Sequence, residues 1–287
     1  MGKYLKEFEL TSQYEEYINS TMALLPNVSL TNDDNMVHYN PKVPNYLKFT
    51  AEEDNSTISL TSANSPDIKY SLNGGDWTQW DYSAITLNTG DTVRMKGNNS
   101  NFGSYRNSAK FKMTGKIGAS GNIMSLLYED DFEGKLTIPS NECYAYMFEG
   151  CSSLTTAPEL PATRLSERCY YSMFSGCTSL TTAPDLPATT LANYCYAGMF
   201  LGCTSLTAAP ELPATTLARS CYSGMYNGCT NINYIKMLAT DVSTPRCLNN
   251  WVDGVASTGT FIKHPDMTSL PTGVSGIPEG WTVQDVA

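Results

Sequence analysis

The nine cysteines are the most reactive side chains in this chain, and their spacing limits what chemistry they can carry. Cys143, Cys169, Cys195 and Cys221 stand 26 residues apart, Cys151, Cys177, Cys203 and Cys229 repeat that interval, and Cys247 extends the first series. Disulfides stay open as a reading, because successive windings would bring α-carbons near bridging distance, although a cytosolic product would keep its thiols reduced. Zinc fits poorly: a Cys-x7-Cys spacing, with His38 and His264 both outside the repeats, matches no structural site. The remaining reading makes these cysteines small buried hydrophobes.

Two further sets could do chemistry. Glu159, Asp185 and Glu211 also recur every 26 residues, so they form a ladder of carboxylates that could take calcium with threonine or backbone oxygens, or simply be solvated acids beside proline. Tyr171, Tyr194 and Tyr196, with Trp77 and Trp80, could stack on sugar rings, but Tyr196 lies in a repeated row and the tryptophans follow an Asn-Gly-Gly-Asp turn, so packing competes. Catalysis finds little support: only two histidines occur, far apart, and there is no Gly-x-Ser-x-Gly, P-loop or His-Glu-x-x-His motif. No catalytic, cofactor-binding or metal residue is therefore nominated, and a non-enzyme is expected.

Behind these residues stands a fixed period. Tyr144, Met147, Phe148, Gly150, Leu154 and Leu160 all recur at intervals of 26, and "CLNNWVDGV" from Cys247 reads as a degenerate fifth copy. Such a period marks a solenoid, whose units bury their apolar edges only against neighbours. In "LANYCYAGMFLGC" the apolar residues Leu191, Cys195, Met199, Phe200 and Cys203 suit one face of a short helix, while "SLTTAPDLPATT", with Pro184 and Pro187, reads as extended. Positions that vary between copies point outward. Arg168, Tyr171, Tyr194, Leu201 and Asn227 are the candidate ligand surface, on a skin rich in hydroxyls and poor in charge.

"MFSGCTSL" (173–180) and "MFLGCTSL" (199–206) resemble the BspA-like leucine-rich repeats of bacterial surface proteins, over about residues 136–255. The resemblance implies a curved, single-stack binding scaffold and no reaction. The expected fold is multidomain and mainly β with α/β repeats. An N-terminal anchor or oligomerisation segment spans 1–45, an Ig-like β-sandwich 46–115, a leucine-rich-repeat solenoid of 26-residue units 116–255 and a β-containing cap 256–287. The sandwich is read from short alternating runs such as "STISLTS" and "SAITLNTGDTVRMKG". In the anchor, Ser12 and Glu15 form a capping box before a helix over about 13–19, and the following segment is too poor in core residues to fold alone.

A net charge of -10 argues against nucleic acid as a partner, and no run approaches the roughly 20 apolar residues that span a bilayer. Charged residues from Lys3 to Glu16 occupy the place where a secretory leader needs an apolar core. "KYLKEFELTSQYEEYINS" and "LPNVSLTNDDNMVHYNP" resemble the start of fibre and head-fibre proteins of phages infecting gut bacteria. That resemblance implies a virion surface protein, made in the host cytoplasm, whose first 45 residues dock onto the capsid or another virion protein. Phe8, Tyr14, Tyr17, His38 and Tyr39 are the candidate anchor residues. The repeats would meet a host-surface or environmental glycan or protein, and multivalency makes a homo-oligomer, a trimer, the expected assembly. The alternative is a bacterial cell-surface adhesin of the BspA-like kind with its leader removed.

Overall fold

The computed structural model describes the backbone of residues 28–33, 36–41, 44–62, 65–103 and 108–286, with side chains from residue 44 onward in those ranges. Two compact units form, Met1–Asn45 and Tyr46–Ala287. In the first, β1 (Val28–Asp33) and β2 (Met36–Pro41) pair antiparallel, with Val28 opposite Pro41 and Asp33 opposite Met36. Alternating Val28 and Leu30, followed by Asn32 and Asp33, suit such a hairpin. Phe8, Tyr14, Tyr17 and the helix expected over 13–19 lie outside the described residues, while His38 and Tyr39 fall on β2.

The second unit begins with a run of short strands: β3 (Leu47–Ala51), β4 (Ser56–Thr61), β5 (Lys69–Leu72), β6 (Thr78–Gln79), β7 (Ile85–Leu87), β8 (Thr92–Lys96), β9 (Lys110–Thr114) and β10 (Ile117–Ser120). After the single turn of helix α1 (Ser125–Tyr128) comes β11 (Leu154–Thr156). One sheet has the order β11-β10-β3-β8-β5-β6 and the other β7-β4-β9. Burial alternates along β3 and β4, the signature of strands with one face on a core. Phe49 of β3 and Phe111 of β9 meet with ring centroids 5.1 Å apart, so the two sheets share that core. The expected boundary at residue 115 is not a break: β10 pairs antiparallel with β3 and parallel with β11, joining strands and repeats in one sheet.

The helix expected in each repeat does not form, and α1 is the only helix among the described residues. Instead every fourth residue is left-handed: Glu142 (φ 61°), Tyr146 (62°) and Gly150 (75°), then Arg168 (55°), Ser172 (49°) and Gly176 (74°), and so on through Gly254 (74°). An α-helix sends each N–H to the carbonyl four residues back. Here the N–H groups of Tyr144, Tyr146, Phe148 and Gly150 donate to carbonyls of Cys169, Tyr171, Met173 and Ser175 in the next repeat. Those of Ala145, Met147, Glu149 and Cys151 donate three residues back, to Glu142, Tyr144, Tyr146 and Phe148. The same alternation runs through the third and fourth copies, so this ribbon of turns leaves few backbone groups unpaired without any helix.

The intervening segments are extended, as their prolines require, and meet through parallel bridges such as Thr156 with Thr182 and Arg164 with Thr190. At the far end β12 (Tyr234–Met237), β13 (Thr260–Lys263) and β14 (Thr282–Asp285) form a parallel sheet. Tyr234 lies opposite Thr260, one full period later, so the C-terminal segment continues the register of the repeats. A single apolar core runs from Tyr46 to Trp281. Within it Tyr144, Tyr170, Tyr196 and Tyr222 form one column of near-parallel rings, and Phe148, Phe174, Phe200 and Tyr226 another.

Candidate binding surface

The left-handed ribbon decides which side chains face out. Its backbone turns side chains inward in pairs, so Cys195 and Tyr196, then Met199 and Phe200, are buried, while Leu201 is 43% exposed. Arg168 and Tyr194 hold equivalent left-handed places in successive repeats. This brings the Arg168 guanidinium over the Tyr194 ring, 4.5 Å from its centroid, where the π face attracts a cation. The same guanidinium donates to Glu167 Oε1 at 2.6 Å and lies 3.9 Å from Glu142. Tyr171 meets the edge of Tyr146 with centroids 5.3 Å apart. Leu201 and Asn227 occupy equivalent outward places one repeat apart.

Three members of this surface escaped the sequence reading. Tyr146 is left-handed where later copies have Ser172, Gly198 and Gly224, a variation that was legible in the repeats. Lys110 comes from β9, lies 4.7 Å above the Tyr146 ring and pairs with Glu149, and only the fold could bring it there. Glu142 is likewise tied in through Arg168. The cations at this patch each have a carboxylate partner, so its charge is nearly balanced.

Other candidates resolve into structure. Trp80 is buried, stacks on Phe111 and donates its Nε1–H to Ser83 O at 3.0 Å. Trp77 is partly buried and packs against Tyr46 at 4.9 Å, Lys96 at 4.7 Å and Arg94 at 5.7 Å. Tyr196 belongs to the core. Of the acidic ladder, Glu211 pairs with Lys236 at 2.9 Å, and among the described residues no three His, Cys, Asp or Glu gather as metal ligands would. His264 accepts from the Asp266 N–H at 3.1 Å.

All nine cysteines are free and buried. The second series has a specific structural role: Cys177 and Cys203 donate their S–H to the carbonyls of Phe148 and Phe174 at 3.1 Å, and Cys229 to that of Phe200 at 2.9 Å. Each thiol thus tethers its repeat to the one before. Burial pushes Cys143 up to about 11 and Cys151, Cys221 and Cys229 to about 12, so they stay protonated and are poor nucleophiles and poor ligands. Four buried phenols, on Tyr170, Tyr196, Tyr222 and Tyr226, have no hydrogen-bond partner among the described residues. A buried hydroxyl left in that state costs about 1–3 kcal/mol.

No protein-family model matches the chain, and the searches of curated proteins and of solved structures found no significant match.

Proposed function

We propose that this chain is a non-catalytic virion surface protein of a bacteriophage, a head-fibre or decoration protein that presents a repeat scaffold for binding. In this reading the stack is a solenoid of the BspA-like leucine-rich-repeat kind, the two-sheet segment is Ig-like, and residues 1–45 dock onto the capsid or another virion protein. Host-surface or environmental glycan or protein binds the outward ribbon, in a homo-oligomer.

One observation carries the binding role. The left-handed column 142, 168, 194, 220 and 246 holds Glu, Arg, Tyr, Ser and Arg, never Gly. A side chain in that conformation costs about 1–2 kcal/mol relative to glycine. The chain bears this cost five times over; Ser220 is buried, but the arginine and the tyrosine meet at the outside, which argues that these outer side chains have a task. The buried thiols stay protonated, which fits a passive scaffold.

The test is binding of the full chain to an array of bacterial surface polysaccharides and cell-envelope proteins, beside a Tyr171→Ala/Tyr194→Ala variant. Signal that disappears in the folded variant supports the surface, and sugar turnover would reverse the non-catalytic reading. Cosedimentation with fibreless phage particles, with and without residues 1–45, tests the anchor. An apolar leader encoded upstream of residue 1 would favour the bacterial adhesin instead.

A further inference from the structure

The buried tyrosine column has a geometry that its own side chains do not satisfy. Tyr144 at the head of the column donates its hydroxyl to Ile123 O at 3.2 Å. The next three, Tyr170, Tyr196 and Tyr222, and Tyr226 beside the last, are fully enclosed and have no partner for theirs. Phenylalanine would fill the same space without the polar atom, and it does so in the neighbouring column at Phe148, Phe174 and Phe200. Four successive copies nonetheless write tyrosine. The fifth writes Leu248, where the column ends.

Spacing shows what would satisfy them. Tyr170 and Tyr196 lie 5.8 Å apart at 8°, and Tyr196 and Tyr222 6.1 Å apart at 13°. Because near-parallel rings one repeat apart carry their hydroxyls with them, successive oxygens are separated by about the same distance. That is too far for a direct bond, but half of it is about 3 Å, an ordinary O–H···O separation. Burial first, with smaller contributions from neighbouring thiols and tyrosines, raises the pKa of the Tyr196 and Tyr222 phenols well above its ordinary value, so each keeps a proton to donate.

We propose that the core of the stack is a binding site for a file of single water molecules, each bridging the hydroxyls of consecutive tyrosines from Tyr170 through Tyr196 to Tyr222. A buried water needs two to four polar partners, and two phenols per molecule supply the minimum. The file locks each repeat to the next in a second place besides the thiol tethers, and it accounts for tyrosine at every step. It stands apart from the proposed function, since any outer surface could be carried on the same core.

The test uses the full chain and Tyr196→Phe, which is nearly isosteric and removes the one hydroxyl shared by two bridges. A high-resolution crystal structure should show water oxygen between Tyr170 and Tyr196 and between Tyr196 and Tyr222. Oxygen-17 relaxation dispersion should count fewer long-lived waters in the variant, and its unfolding equilibrium constant should rise about fivefold. A variant more stable than the parent, with the same water count, would mean a dry column of orphan hydroxyls and would overturn the proposal. A crystal structure with the hydroxyls bonded to protein carbonyls or sulfurs would overturn it too.

Discussion

The aromatic rings of the two-sheet segment and of the repeat stack pack differently. In the former, Tyr46 meets Trp77 at 69°, Phe49 meets Phe111 at 58° and Trp80 meets Tyr82 at 74°. In the stack the angles fall to between 4° and 13° along both columns. A non-repeating sequence mixes arrangements, edge-on in these pairs and stacked where Trp80 and Phe102 meet Phe111 at 21° and 16°, whereas repetition imposes one orientation on every copy. The lesson extends to polar groups. The two-sheet segment satisfies its buried lysine individually, with Lys96 bonded to Asp130 at 2.7 Å, while the stack satisfies or strands the same atom in every repeat at once.

The largest expected effect breaks the stack. Met199 is fully buried at the centre of the columns, and Met199→Asp would place a carboxylate there without a partner. Loss of the folded stack is expected, seen as loss of near-ultraviolet circular dichroism. A soluble, fully folded variant would show inside and outside reversed.

Alkaline pH should separate the two regions next. The cysteines lie only in the repeats, and burial raises their pKa from an ordinary 9.0 to about 12 at Cys151 and Cys229. A raised folded pKa means that the unfolded chain releases its proton first. The stabilisation is whole below about pH 9 and is lost as pH rises toward 12, and the buried tyrosines act in the same direction. Denaturant midpoints followed at Trp251 in the stack, in a variant lacking the other tryptophans, should fall over that range.

A smaller effect tests the ribbon. Gly202 is left-handed at 72° with open space where a Cβ would stand, so Gly202→Ala should cost about 1 kcal/mol through the backbone alone. A cost near zero in urea melts would mean that the backbone there is not left-handed. Smallest of all, Lys236→Gln removes an exposed pair with Glu211 and should leave the melting temperature unchanged within error.

Much of the core was legible because repetition marks it: the cysteine, methionine and phenylalanine rows face inward, as identical residues stacked on identical residues must. The helix was misread for a physical reason. Offsets of four and four between Cys195, Met199 and Cys203 suit a 3.6-residue helix and a four-residue run of turns nearly equally well. What separates them is glycine at Gly198 and Gly202, and again at Gly224 and Gly228, which a helix interior tolerates badly and a left-handed place welcomes.

By itself the sequence determined the period and the inward rows, because a side chain repeated at a fixed interval must meet its own copy; of the varying positions read as outward, Ala145, Ala197 and Ser220 are buried. Only the tertiary structure decided where the backbone hydrogen bonds go, since a bond from Tyr144 to Cys169 depends on how closely two windings approach. It likewise decided that Lys110 sits over Tyr146 and that β10 joins both regions, for these contacts link residues that no local pattern relates.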